Sequence, residues 1–403
     1  MENISILDQI INNQKAEEVA KLNAVEIVNN LFNELSKRER DVLVRRFGLH
    51  GQGRETLETV GKIHSLTRER IRQIENSSVN RLRQLEKLEE YIDVLKKVIN
   101  QLLEEHGGIM ERNYLLKLLV YFSADKEGDP ERNEEIHKSH LDFLISKLLS
   151  NHFEEVNNSK RFLPSYKLKY QALDHLEVLA QELLQEVEEK RKIILTGELF
   201  KLITNLDSYK KNQEKFNLTY NLDISRALNF DFFEENADLI NNNKILYSLL
   251  RAARNIEQNK FGFWGIDNWR EIKPKTINDK IYLVLKNNGK PMHFAEIANY
   301  INKIGFDNKK ANAATVHNEL ILDIKYVLVG RGLYGLKEWG YQRGTVIDVI
   351  REILASNSQP LSRDEIIEKV LEKRMVKKTT VILALMNKDV FDKVEGKYRI
   401  KAI

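Results

Sequence analysis

The sequence predicts a mainly α-helical chain, with a helix-turn-helix near the N-terminus followed by about four winged-helix units, each helical with a small β-hairpin wing. Three observations lead there. Proline occurs only five times in 403 residues, and proline breaks helices from within. Pro291 and Pro360 each stand between two amphipathic helical patterns and are followed at the same spacing by Glu296-Ile297 and Glu365-Ile366, an internal repeat. Finally, each repeat runs through another helical pattern to an alternating pair of strands around a glycine turn, as in a wing.

The hairpins are expected at Tyr326 to Leu336 and Phe391 to Ile400, with two more upstream at Phe153 to Leu163 and Asn255 to Trp264. Loops are expected at Asp125 to Pro130 and Ser208 to Gln213, and a linker at Ile272 to Thr276. The resulting boundaries are 30–88 for the helix-turn-helix, then 92–170, 174–272, 276–341 and 344–403 for the winged units. Length alone suggests about three compact units.

Composition closes off several functions. With 31% charged residues and no apolar run near the ~18 residues a bilayer needs, no transmembrane segment is expected. The start, MENISILDQIINNQ, lacks a basic region and a continuous apolar stretch, so no secretory signal is expected either. The absence of cysteine excludes disulfides, thiol nucleophiles, iron–sulfur clusters and Cys-containing zinc sites, and points to a reducing cytoplasm.

The net charge is +4, from 64 Lys and Arg against 60 Asp and Glu. Residues 36–84 hold 12 of the cations and 6 of the acids, leaving 52 against 54 elsewhere. A local +6 on a balanced chain is the footprint of a polyanion site.

Within that segment, Ser36 is placed to cap a helix through Arg40, and Gly48 with Gly51-Gln52-Gly53 ends it. Thr56 caps a short helix, Leu57 to His64; a turn around Ser65 leads to Thr67, which caps a longer basic helix. A short helix, a tight turn and a second helix form a helix-turn-helix. At 100° per residue, Thr67, Ile71, Ile74, Ser78 and Leu82 share one face of the second helix. The opposite face carries Glu69, Arg72, Gln73, Asn76, Asn80 and Arg83. Arg can pair with guanine, Gln or Asn with adenine, and Glu with cytosine. Arg68 and Arg70 flank that face and would reach phosphates, which position without specifying. Arg38, Arg46, Thr56 and Lys62 are further candidates for phosphates.

The runs Leu35 to Leu43, Arg46 to Leu49, Thr56 to Gly61 and Thr67 to Glu75 closely resemble region 4 of bacterial housekeeping-type sigma factors. The resemblance implies that this helix enters the major groove of an upstream promoter element, with Arg68, Glu69, Arg72 and Gln73 in base- and backbone-contacting positions and Asn76 following. It further implies docking on the beta flap of the RNA polymerase core through Leu35, Leu43 and Phe47. It covers about one seventh of the chain. Asn76-Ser77-Ser78-Val79-Asn80 replaces an alanine-rich continuation, and only about thirty residues precede the module, so a complete sigma factor is not expected.

Lys290 to Ala298 with Val329 to Trp339 is similar to the HARE-type helix-turn-helix of the RNA polymerase delta subunit. Its expected recognition helix, Asn312 to Asp323, offers Thr315, His317 and Asn318 but also Glu319 and Asp323, so DNA and protein are equally open as its partner. The last unit has Lys373, Arg374, Lys377 and Lys378 at the start of its corresponding helix, as secondary DNA contacts.

Enzymatic signals are weak. Gly330 to Gly335 fits G-x-G-x-x-G, but a strand-like segment follows where a dinucleotide fold needs a helix. His137 and His140 lack a third metal ligand, and Glu186 to Lys190 reads as an exposed helix. Phe261, Phe263, Trp264 and Trp269 are expected in the core rather than stacked on bases. The expectation is a non-enzymatic, cytoplasmic, nucleoid-associated transcription factor that reads double-stranded DNA and contacts RNA polymerase, with no cofactor, metal, small-molecule substrate or membrane. The alternative is a polymerase-associated protein, delta-like or flap-occupying, that does not read sequence. A DNA-targeting chain for a separate nuclease is a third reading.

Overall fold

The computed structural model describes residues 23–401 except 124–129, 218–221, 229–231, 234, 342–343, 358, 375 and 395. The expected loop at Asp125 to Pro130, save for Pro130, which begins a helix, and the N-terminal signal reading fall outside these residues. Two compact units divide the chain: the first runs to Gln258 and includes Gly262–Asp267, the second takes Asn259–Phe261 and Asn268 onward.

The first unit opens with α1 (Ala24–Phe32), α2 (Lys37–Phe47), α3 (Leu57–His64) and α4 (Arg68–Arg83). Local chemistry sets their ends. Ser36 accepts from the Glu39 amide while Glu39 accepts from the Ser36 amide, a reciprocal cap. Gly48 stops α2 in the left-handed region at φ 68°, where an added Cβ would lie 2.8 Å from the Gly53 carbonyl carbon. Thr56 and Thr67 cap α3 and α4 through the amides of Thr59 and Arg70.

Next come α5 (Leu88–Glu105), β1 (Ile109–Glu111), α6 (Arg112–Ser123) and α7 (Pro130–Phe143), which runs on through one π turn, Leu144–Leu148, to β2 (Phe153–Val156) and β3 (Ser165–Leu168). The following section repeats the order: α8 (Asp174–Lys190), β4 (Ile194–Leu195), α9 (Thr196–Asn205), the short α10 (Asp207–Lys211) and α11 (Ala237–Asn241), α12 (Lys244–Ala252), β5 (Ile256–Gln258) and β6 (Phe263–Ile266).

The second unit holds α13 (Ile277–Asn288), β7 (Met292–His293), α14 (Phe294–Ile304), α15 (Ala313–Leu322), β8 (Tyr326–Leu328) and β9 (Leu333–Leu336). It ends with α16 (Val346–Ser356), β10 (Leu361–Ser362), α17 (Arg363–Lys373), α18 (Lys378–Leu385), β11 (Phe391–Val394) and β12 (Lys397–Ile400). The repeat seen in the sequence has a physical cause here. Glu296 and Glu365 complete reciprocal caps with His293 and Ser362, and Ile297 and Ile366 beside them are fully buried.

Among the described residues the four sheets are antiparallel with one topology: β1-β3-β2, β4-β6-β5, β7-β9-β8 and β10-β12-β11. The last strand is central each time, so the hairpin is joined by a short strand preceding the second helix of the unit. Those extra strands, two or three residues long, are too short to show periodicity in a sequence. Two other expectations need correction. Ser208 to Gln213 was expected as a loop, yet Asp207–Lys211 is helical, its start held by Glu182 accepting from the Asp207 and Ser208 amides. The first hairpin returns at Ser165–Leu168, beyond the expected Leu163, because Pro164 delays strand pairing until Ser165 meets Val156.

Within the first unit, α7 packs against α1 and α2. Phe143 sits edge-on to Phe32 at 5.7 Å between ring centroids and 4.9 Å from Phe47. Beside it, the buried Asp142 accepts from Arg54, from Arg112 Nε at 2.6 Å and from Tyr166 Oη at 2.7 Å. Burial is the largest influence on the Arg112 charge and opposes it, but the Asp142 bond together with the charges of Tyr166, Asp142 and Glu155 outweighs burial and raises that pKa. Further on, Lys244 and Glu105 form a buried pair at 2.6 Å, and Ser248 of α12 donates to the Ile109 carbonyl.

Removing a carboxylate that compensates a partly buried guanidinium strands the charge and costs about 3–5 kcal/mol. Asp142→Ala should therefore lower the stability of the first unit by that order in urea unfolding, while Arg54→Ala, whose side chain is half exposed, should cost less than half as much. An Asp142→Ala chain unfolding at the wild-type midpoint would remove the site from any structural role.

Candidate nucleic-acid interface

The helix-turn-helix is held by a small core of Val42, Val60, Ile71 and Ile74, with Leu57 and Leu66 packed against it. The turn between α3 and α4 is tight. Ser65 adopts φ 54°, Leu66 donates its amide to the Gly61 carbonyl at 2.9 Å, and a Cβ on Gly61 would lie 2.7 Å from the Leu66 oxygen. Glycine at position 61 thus sets how closely the two helices approach.

Burial divides α4 as its 100° spacing requires. Ile71, Ile74, Ser78, Val79 and Leu82 are buried, whereas Arg68, Glu69, Arg70, Arg72, Gln73, Asn76 and Asn80 are exposed. Ser78 Oγ is buried without a hydrogen-bond partner. Arg72 grips Glu69 with two bonds, Nε to Oε2 at 2.9 Å and Nη2 to Oε1 at 2.6 Å. Their hydrogen bond lowers the Glu69 pKa and raises that of Arg72. Arg70 donates to Gln73 at 3.1 Å. These exposed contacts order the face before any ligand arrives, and solvent screening lets them exchange readily for bonds to bases.

Arg38, Thr56 and Lys62 are exposed, although Thr56 Oγ1 is engaged as a cap and Lys62 pairs with Glu58 at 3.0 Å. Arg46 is placed otherwise. Its Nε bonds Glu75 at 2.7 Å and its Nη1 donates to the Glu55 carbonyl, so it braces α2 against α4 instead of facing a phosphate. Arg83 reaches the Lys147 carbonyl and Ser150 Oγ, which ties the end of α4 to the π turn after α7.

Three side chains expected to meet polymerase are not presented to a partner. Leu35, Leu43 and Phe47 are all buried, Phe47 between Phe143 and the Lys147 ammonium, 5.5 Å above its ring. The chain's own α7 covers the apolar face that an external partner would need. In the second unit, Arg374 is corrected likewise: it is buried, with Nη1 donating to the Gly344 carbonyl and Nη2 to the Leu328 carbonyl at 2.6 Å. Its pKa is lowered by desolvation. Lys377 and Lys378 are exposed and Lys373 half-buried.

The other singled-out groups are structural. Gly330 to Gly332 lies in the turn of the β8–β9 hairpin, and Leu333 to Gly335 in strand β9 itself. Trp264 is buried and donates to Thr196 at 2.9 Å, Phe261 is buried, and His140 bonds the Ile136 carbonyl. Asp142 gave no sequence signal, because its partners lie 24 to 88 residues away.

Residues 31–84 match the family model for sigma-70, region 4. That span contains the capped helix-turn-helix and the whole exposed face of α4. Residues 275–339 match a second family model, the HARE-HTH or restriction endonuclease HTH domain. Both are helix-turn-helix domains of DNA-binding type. Similar relatives are the RNA polymerase sigma factor SigA of Microcystis aeruginosa and that of Synechocystis sp. (strain ATCC 27184 / PCC 6803 / Kazusa), each 46% identical over 79 residues, covering 19% of this chain and 19% of the relative. SigA1 of Synechococcus elongatus is 44% identical over 79 residues, covering 19% of this chain and 20% of its own. The chain thus spans about one fifth of the length of the relatives it matches. No solved structure matches it significantly. Among the described residues no helix is long and apolar enough to cross a membrane.

Gly61→Ala would push a methyl against the Leu66 carbonyl, and such overpacking typically costs about 1–3 kcal/mol. The variant should lose stability of that order in urea unfolding and lose DNA affinity with it. A Gly61→Ala chain as stable as the wild type would show that this contact does not hold the turn.

Proposed function

We propose that the chain is a DNA-binding transcription factor that reads a promoter-like element through α4 and acts on transcription beside RNA polymerase. One observation carries this: the exposed face of α4 is made of Arg68, Glu69, Arg72, Gln73 and Asn76, residue types that pair with base edges, inside a span matching sigma-70 region 4. Arg38, Lys62 and Arg70 supply the flanking phosphate contacts, which set register without carrying sequence. Contact with polymerase has to use a surface other than Leu35, Leu43 and Phe47. The five-module division, a cytoplasmic and nucleoid-associated location and the absence of catalysis belong to the same reading.

A second reading is favoured by α15 and its surroundings. The exposed side chains of that helix are Ala314, Thr315, Asn318, Ile321 and Leu322, without a cation among them, and Ile324 and Leu328 nearby are also exposed. Such a surface suits protein contact better than a polyanion, as a polymerase-associated interaction module requires.

The two readings part at α4. Arg72→Ala with Gln73→Ala should weaken binding to the preferred DNA element roughly ten- to a hundred-fold and relax selection at one or two base pairs, in line with what a bidentate base contact contributes. Chromatin immunoprecipitation of wild type and variant reads this out across the genome. An unchanged target set in the double variant would remove sequence reading and leave the interaction module.

A further inference from the structure

A winged helix touches DNA through the exposed face of its third helix and through its wing, and a helix face packed on protein is not available for either. In the first unit, α7 is packed on α1 and α2, and α12 is buried from Lys244 through Leu250. In the second unit the exposed face of α15 carries no cation, whereas Lys377, which precedes α18, and Lys378, Thr379 and Thr380, which open it, are exposed.

The wings differ in the same direction. The four central strands read Ser165-Tyr166-Lys167-Leu168, Phe263-Trp264-Gly265-Ile266, Leu333-Tyr334-Gly335-Leu336 and Lys397-Tyr398-Arg399-Ile400. Lys167 is the single cation in the first three, and Glu154 across the ladder pairs with it at 3.1 Å. In β12, Tyr398 and Ile400 pack on the core, so alternation turns Lys397 and Arg399 to the outer face. The ladder continues one residue further, with the Lys401 amide donating to the Val390 carbonyl at 2.9 Å. Lys401 therefore joins the row, and all three side chains are exposed. Their spacing along the strand is about 6.8 Å, twice the antiparallel rise. Near one end Glu365 is held by Ser362, and Lys397 contributes to its lowered pKa.

Charge follows the geometry. Residues 373–403 carry nine Lys and Arg against three Asp and Glu, a second local +6. With this segment and 36–84 both set aside, the rest of the chain has 43 cations against 51 acids. We infer that the C-terminal winged helix is a second DNA site, which holds the phosphodiester backbone of a duplex without reading its sequence. Lys377 and Lys378 at the start of α18 form one edge of this site, and the row Lys397, Arg399 and Lys401 forms the other. The partner is double-stranded DNA because the cations lie on the two elements that a winged helix offers to a duplex, with Thr379 and Thr380 exposed next to Lys378 as neutral donors.

The test measures the affinity of the full chain for a fluorescein-labelled random-sequence DNA duplex by anisotropy over a series of KCl concentrations. Each phosphate neutralised adds about −0.9 to the slope of log K against log salt. The Lys397→Ala, Arg399→Ala, Lys401→Ala variant should make that slope shallower by about 2 to 3, and Lys377→Ala with Lys378→Ala by about 1 to 2. Lys397→Arg with Lys401→Arg should restore the wild-type slope. The Arg72→Ala, Gln73→Ala variant should instead lose the preference for the selected element over the random duplex, so failure of sequence reading at α4 stays distinguishable. A wild-type slope in both alanine variants overturns the inference. So does loss of binding to a polyglutamate peptide with DNA binding intact, which assigns the surface to an acidic protein, or tighter binding of an RNA duplex than of DNA.

Discussion

Asp142 and Phe143, at the end of one helix, fasten the helix-turn-helix to the rest of the first unit. The carboxylate collects Arg54, Arg112 and Tyr166, and the ring fills the space between Phe32 and Phe47. A buried carboxylate is tolerable only while its donors stay in place, so the loop carrying Arg54 and the winged unit carrying Arg112 are held to one geometry. The same packing occupies two surfaces: the apolar side of α1 and α2, and the face of α7 that a free winged helix would offer to DNA.

That constraint sorts the modules. A helix face can be buried once, and in the first unit α7 and α12 have been turned inward, leaving α4 as the helix with an exposed, base-pairing face. The internal ion pairs of Arg46 with Glu75 and Arg45 with Asp41 take up a cation and an acid each, so the local +6 is carried by the other side chains. What remains outward is concentrated on α4 and the start of α2. In the second unit the excess of cations over acids is greatest over residues 373–403, with exposed cations at the start of α18 and along β12, while α15 presents apolar side chains. Charge and packing thus give modules of one topology different exposed surfaces.

Much of this was legible in the sequence where local rules decide. The caps at Ser36, Thr56 and Thr67 need only a side chain and an amide three residues on, and the two faces of α4 follow from its spacing. What sequence could not show is which elements meet. Phe47 with Phe143 and Arg374 with Leu328 are distant along the chain, and those contacts turn an apparent docking residue and an apparent DNA contact into structural ones. The row Lys397, Arg399 and Lys401 is different. Its period of two lies in the sequence itself, hidden because Tyr398 and Ile400 make the segment read as an ordinary hairpin strand.

Amide hydrogen exchange of the full chain, with and without a duplex carrying its selected element, tests the central claim most directly. The account predicts new protection over Arg68 to Asn80 and, more weakly, over Lys377 to Lys401, with His140–Phe143 and Lys244–Leu250 unchanged because protein already covers them. Protection confined to Ala313–Leu322, with none on α4, would contradict it.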